Sequence, residues 1–144
     1  MIQKLDERYI DEIVEIHRDA IFPIWDSLGR EYTEEGISEF VIEVFHKGEV
    51  FGFFSDGKLV GVIGVEIHKN KDAAEICFLL VNSSFQGSGL GRELMEFVEN
   101  KIRLYIHRIF LEVLVQNPAV NFYKRLDYEI LGKKRNKYVM EKKL

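Results

Sequence analysis

The stretch from Cys77 to Tyr105 constrains this chain most. It opens with a continuous apolar run, Cys77-Phe78-Leu79-Leu80-Val81, and passes through Gln86-Gly87-Ser88-Gly89-Leu90-Gly91. From Arg92 onward, Leu94, Phe97, Val98, Ile102 and Tyr105 fall on one helical stripe. A short apolar run bounded by turn residues reads as a buried strand, and a 3.6-residue spacing reads as an amphipathic helix. Three glycines at alternate positions join the two. Backbone without a Cβ adopts positive φ readily and lets a ligand approach closely. At a helix N-terminus such a loop presents unsatisfied N–H donors and the positive end of the helix dipole. Residues 86–92 therefore predict an anion site, phosphate above all.

Two familiar phosphate loops do not fit. A dinucleotide fingerprint G-x-G-x-x-G counted from Gly87 and Gly89 reaches Arg92 where the third glycine belongs, and G-x-x-x-x-G-K-[ST] is absent. What stands is Q-x-x-G-x-G, set by Gln86, Gly89 and Gly91.

The rest of the chain supplies the frame. Residues 1–5 read as a strand, and Asp6 as the cap of a helix carrying Ile10, Ile13, Val14 and Ile16 through about Ile21. Pro23 breaks or kinks that helix. Thr33 opens a second helix with Ile37, Phe40, Val41, Val44 and Phe45 inward, ending at Gly48. Strands over 50–54 and 59–67 flank Asp56-Gly57, a strong hairpin signal. A further strand covers 73–81, and another covers 109–115. Asn117 suits an N-cap and Pro118 the first helical position of a helix through Leu126. Residues 128–131 and 138–140 close the chain as strands around a basic turn, Gly132 to Lys137. The order β-α-α-β-β-β-α-β-α-β-β predicts an α/β (α+β) fold.

A chain of 144 residues suits one domain with a real core. It has no apolar run long enough to span a bilayer and no basic-then-apolar leader, so no membrane role is expected. The lone Cys77 excludes an internal disulfide framework and fits a reducing compartment, with the cytoplasm as the default. The net charge of −4 argues against nucleic-acid binding. Charge is uneven, however: residues 124–144 carry +5 and the rest −9. The acidic excess reads either as solvated helix faces or as a weak field attracting a cationic acceptor.

The loop of Gln86, Gly89 and Gly91 resembles the acetyl-CoA pyrophosphate loop of the GNAT N-acetyltransferase superfamily, [RQ]-x-x-G-x-[GA] between the fourth strand and third helix. The segment Leu111-Glu112-Val113, Asn117 and Phe122-Tyr123-Lys124-Arg125-Leu126-Asp127-Tyr128 resembles the family's L-E-V…N…[FL]-Y-x-x-[LM]-G-[FY] run. In these motifs it resembles the ribosomal-protein alanine N-acetyltransferase-like members. The element order agrees with the family from end to end, which implies a mixed, mostly antiparallel sheet of about seven strands with four helices.

The resemblance implies acetyl-CoA as cosubstrate and a primary amine of a small molecule, peptide or protein as acceptor, attacking the thioester directly; no metal is expected, from the spacing of the histidines. It admits a homodimer. It assigns acetyl-CoA contacts to Leu79, Leu80 and Val81 through strand backbone, and to Gln86, Gly87, Ser88, Gly89, Leu90, Gly91 and Arg92 through loop amides. A further contact falls to Asn117, with Gln116 as the alternative because the spacing to Tyr123 is one residue short. Tyr123 would hydrogen-bond or protonate the departing thiolate; its structural reading is a core aromatic. Glu112, in an otherwise apolar strand, would need a reason for burial, and it stands where the resembling ribosomal-protein N-terminal acetyltransferases have the L-E-V glutamate assigned as proton acceptor; Glu75 and Glu66 are rivals. Asp127 stands where the family has glycine, and aspartate tolerates the left-handed backbone this implies. Phe22, Trp25 and Tyr32 read either as walls of an acceptor pocket or as packing. Cys77 reads as a small core residue, and the four histidines show no metal-ligand spacing. The competing function is a sensor or regulatory module that binds CoA without catalysis.

Overall fold

A computed structural model describes residues 1–27 and 33–144, with side chains for 1–21 and 33–144. Phe22, Trp25 and Tyr32, read above as pocket walls, lie outside the described side chains. Eleven principal elements are described: β1 (Ile2–Lys4), α1 (Ile10–Ser27), α2 (Glu34–Lys47), β2 (Glu49–Ser55), β3 (Lys58–His68), β4 (Ala73–Val81), α3 (Leu90–Ile102), β5 (Arg108–Leu114), α4 (Ala119–Arg125), β6 (Glu129–Lys134) and β7 (Lys137–Lys143). They follow the expected order.

Local chemistry explains most of the boundaries. Thr33 accepts a bond from the Gly36 N–H at 3.0 Å and starts α2, and Gly48 ends it by donating to the Val44 carbonyl at 2.8 Å. Asp56 and Gly57, with φ of 50° and 76°, make the β2–β3 turn, the double positive φ that a two-residue hairpin favours. Asp6 differs from expectation. Its side chain accepts from the Arg8 N–H and caps a short 3-10 turn, Glu7–Tyr9, that leads into α1. Helix α1 also continues through Pro23 to Ser27 rather than stopping near Ile21. Proline costs one backbone bond there without ending the helix.

Two further boundaries are corrected. Helix α3 ends at Ile102, so Tyr105 leaves the stripe and is more than half exposed. The basic segment at the C-terminal end is strand rather than turn. Lys133 and Lys134 belong to β6, and only Arg135 and Asn136 connect it to β7, with Arg135 at φ 57°.

The seven strands form one sheet in the order β1-β2-β3-β4-β5-β7-β6. Every neighbouring pair is antiparallel except β4–β5. Helices α1 and α2 cover one face through Ile13, Val41 and Val44, while α3 and α4 cover the other through Leu94, Met95, Val98 and Val120. Burying each such side chain stabilises the fold by about 1.5–3 kcal/mol. Leu94→Ala, at a fully buried position, would cost about 2–5 kcal/mol.

Strand β4 changes sides partway along. Gly64 of β3 faces Phe78 and Val65 faces Ile76, which leaves Cys77 as an extra residue on β4. A bulge of this kind breaks the two-residue alternation. Ala74 and Ile76 consequently join the α3–α4 core, and Phe78 and Leu80 join the α1–α2 core.

Candidate active site

The parallel β4–β5 ladder is short. Its last paired residues are Ile76 and Leu111, and beyond them the two strands part. Parallel strands need a crossover between them, here the glycine loop and α3. The gap opens as a cleft of about 400 Å³ lined by Cys77, Phe78, Leu79 and Leu80 on one side and by Glu112, Val113 and Leu114 on the other. His17 and Ile21 of α1, Phe40 of α2, Asn117, Tyr123 and Lys137 complete it.

The glycine loop lies at the open end of β4. Gly87 and Gly89 have φ of 80° and 87°, and a Cβ on either would meet nothing within 4 Å. Their requirement is conformational, not spatial. Gly91 is the opposite case: its added Cβ would lie 3.3 Å from the Phe122 ring, so it allows α3 to start close against α4. Helix α3 has no side-chain cap, and its first backbone bond runs from the Glu93 N–H to the Gly89 carbonyl at 3.0 Å. The N–H groups preceding Glu93 therefore have no acceptor within the helix. Gln86 Nε2 donates to the Val81 carbonyl at 3.3 Å and Ser88 Oγ to the Phe85 carbonyl, which shapes the turn from inside. Arg92 pairs with Glu96 at 2.8 Å on the surface. Uncapped amides, positive φ and open space together fit a phosphate-sized anion.

Tyr123 projects from α4 into the cleft and is buried, and burial pushes its hydroxyl well above the usual tyrosine range. The phenol therefore remains protonated across physiological pH. Helix α4 ends at Arg125 with Leu126 as its cap, and Asp127 follows with a φ of 72°, the left-handed backbone expected there. The Tyr128 N–H bonds to the Tyr123 carbonyl at 3.0 Å and the Asp127 N–H to the Lys124 carbonyl at 3.0 Å, the two bonds of a Schellman motif. Asn117 lines the cleft and caps α4, its Oδ1 accepting from the Ala119 N–H at 2.9 Å; Gln116 is exposed and does not line the cleft.

The carboxylates fall differently from the sequence reading. Glu112 lines the cleft as expected, yet it is exposed, not buried. Because β5 has lost its parallel partner at this level, the side chain reaches solvent and incurs no large desolvation cost. Glu75 does not line the main cleft. It faces Glu66 across the β3–β4 ladder, bonds His68 Nε2 at 3.0 Å, and lines an adjoining cavity of about 130 Å³. Phe40 and Cys77 border both spaces.

Glu66, Glu75 and Cys77 bring one potential ligand atom each within 4.8 Å of one another, a grouping that linear spacing did not reveal. Burial, aided by Glu75 and Glu66, pushes the Cys77 thiol up to about 12. A thiol held protonated in this way is a poor nucleophile and a poor ligand. Cys77, read above as a small core residue, is half-buried, packs against the α1–α2 core and lines both cavities, and burial keeps its thiol protonated.

His17 and Lys137 are cleft residues that sequence reasoning missed. His17 belongs to the apolar face of α1, and burial lowers its imidazole to about 4, so it is neutral at physiological pH. Its signal was a histidine on an otherwise apolar helical face, beside Ile13, Val14 and Ile16. Lys137 carried no signal beyond its place in a basic run.

Comparison with known proteins completes the picture. The acetyltransferase (GNAT) family model matches residues 10–128. No curated protein sequence matches the chain. Among solved structures, it is similar to the PaiA N-acetyltransferase from Thermoplasma acidophilum in complex with coenzyme A. The TM-score is 0.83 at 21% identity, over 100% of this chain and 98% of that one. The ribosomal-protein-S18-alanine N-acetyltransferase from Escherichia coli gives a TM-score of 0.81 at 19% identity, over 99% and 92%. Ard1 from Thermoplasma volcanium gives 0.75 at 22%, over 100% and 97%. These likenesses concern the fold, and among the described residues no helix is long and apolar enough to cross a membrane. From the family match, the chain belongs to the GNAT acetyltransferases.

Proposed function

We propose that the protein transfers an acetyl group from acetyl-CoA to a primary amine by direct attack, with no covalent enzyme intermediate. The observation that carries this reading is the parting of β4 and β5 beyond Ile76 and Leu111, with an uncapped α3 at one end and Tyr123 within the gap. Acetyl-CoA supplies an acyl group already activated as a thioester.

The chain's own residues divide the work. Amides of Gly87, Gly89, Leu90, Gly91 and Arg92 donate to the diphosphate, where the dipole of α3 adds to them; the Ser88 N–H already donates to the Phe85 carbonyl at 3.3 Å and instead holds the turn. The edge of β4 that β5 leaves, at Leu79, Leu80 and Val81, offers backbone groups to the pantetheine amides, with the Val81 carbonyl also accepting from Gln86 Nε2. An acceptor resembling lysine, with a pKa of about 10.4, is mostly ammonium at neutral pH and must lose a proton before its nitrogen can attack. Glu112 takes that proton directly or through water, since among the described residues it is the carboxylate that shares the cleft with Tyr123. The new N–C bond forms as the C–S bond breaks, and the Tyr123 hydroxyl donates to the leaving sulfur. Neutral His17 adds no positive charge against an incoming ammonium.

Turnover of acetyl-CoA against amines and peptides, followed as thiol release, tests the proposal, with Tyr123→Phe as the control. Release that depends on both the amine and the Tyr123 hydroxyl supports it. Stabilisation by CoA without transfer to any amine would favour a sensor instead.

A further inference from the structure

Glu99 is the one acidic side chain among the described residues buried in the core, and the proposed chemistry does not use it. It projects from α3 and is 2% exposed, as is Tyr128. One carboxylate oxygen accepts the Tyr128 hydroxyl at 2.8 Å, and the other accepts Lys142 Nζ at 2.8 Å. The lysine ammonium also lies 5.8 Å from the centre of the Tyr128 ring. A buried charge is retained only where it is paired and bonded, and both conditions are met here.

What this network holds is Tyr123. The Tyr128 ring meets the Tyr123 ring edge-on at 5.9 Å, and the Tyr128 N–H bonds the Tyr123 carbonyl at 3.0 Å. Tyr123 is thus fixed to Tyr128 through both backbone and ring, and Tyr128 is fixed to α3 through Glu99. The same helix begins at the glycine loop. Glu99 lies nine residues beyond Leu90, which at helical rise places it about 14 Å along the axis.

We propose that Glu99 and Tyr128 are positioning residues that hold the Tyr123 hydroxyl in register with the anion-binding end of α3. This rests on the acetyl-transfer reading, in which Tyr123 donates to the sulfur of CoA. Helix α3 then acts as a rigid spacer: one end grips the diphosphate and a point farther along sets the phenol that the thiol must meet. Misplacing a reacting group by about an ångström costs up to about 100-fold in rate.

The test compares wild type, Tyr128→Phe, Glu99→Leu, Tyr123→Phe and the Tyr123→Phe/Tyr128→Phe double variant. Each is crystallised with CoA, titrated with CoA by calorimetry, and assayed for thiol release with an alanine-terminated peptide and with 1,5-diaminopentane. The expected result for Tyr128→Phe and Glu99→Leu is unchanged CoA affinity, a Tyr123 hydroxyl moved away from the sulfur, and kcat lowered about tenfold with KM for acetyl-CoA unchanged. Adding Tyr128→Phe to Tyr123→Phe should cost nothing further, because both act through one hydroxyl. Glu99→Gln, which keeps an acceptor for the Tyr128 proton, should recover most of the Glu99→Leu loss. The inference is overturned if the hydroxyl stays in place in either single variant, or if the losses add in the double variant. It is also overturned if the defect lies in CoA affinity. Should one variant fail to fold, the CoA-bound structure of the other decides. If Tyr123→Phe itself turns over like wild type, the acetyl-transfer role of Tyr123 fails first, a result distinct from failure of the network alone.

Discussion

Ile76 of β4 and Leu111 of β5 are the last residues these parallel strands pair, and the cleft that holds Glu112 and Tyr123 opens just beyond them. The bulge at Cys77 comes one residue after Ile76 and turns Phe78 and Leu80 toward α1 and α2. The parted strands leave a cleft through the sheet, with Asn117 and Tyr123 on one side and α1 and α2 on the other.

Gly89 needs its positive φ more than it needs space, so a β-branched substitution tests the loop conformation without introducing a clash. Gly89→Val should strain the backbone by about 1–2 kcal/mol. CoA affinity measured by calorimetry should fall about tenfold or more, and full retention of affinity would remove the loop from the site.

Removing the Tyr123 hydroxyl leaves its ring packing against Phe122 and Tyr128 intact. Tyr123→Phe should therefore melt close to wild type while kcat falls about 100-fold, within the usual range for a proton donor. Melting curves and turnover on the same preparation check both halves.

Glu112→Gln should lower kcat/KM about 100-fold near neutrality, where the amine is charged and a proton acceptor matters. The deficit should narrow as pH rises toward the amine's own pKa, because the free base then needs no acceptor. Parallel pH–rate profiles would remove Glu112 from this role. The same narrowing in Glu75→Gln would move the role to Glu75.

His17 makes stability depend on pH. Its folded pKa of about 4 lies below its ordinary value of 6.5, so between these values the unfolded chain binds more protons than the folded one. Stability from this group is full above about pH 6.5 and is lost as pH falls toward 4, to a total of about 3 kcal/mol. Urea unfolding across this window should show His17→Leu with a shallower acid-side decline than wild type.

Much of this was legible in the sequence because strong local signals agreed with one another. The order of elements, the Asp56-Gly57 hairpin, the Thr33 and Gly48 helix ends and the left-handed Asp127 all rest on neighbours a few residues apart. The glycine loop was legible for the same reason. What could not be read depends on partners distant in the chain. The side switch in β4 requires the register against Gly64 and Val65, and the exposure of Glu112 requires knowing where β5 loses β4. The Glu99–Tyr128–Lys142 network joins α3, the residue preceding β6, and β7, with no motif to announce it. Helix α1 passing Pro23 shows packing overriding a local breaker, and Tyr105 shows a stripe outlasting its helix.

Titration of the purified protein with CoA in a calorimeter, followed by a crystal structure of the complex, decides whether the glycine loop and Tyr123 hold the two ends of one CoA. The expected result is one CoA per chain, its diphosphate on amides of the loop between Gln86 and Arg92 and its sulfur within hydrogen-bond reach of the Tyr123 hydroxyl. No heat on titration, or a complex with the diphosphate bound away from that loop, would contradict it.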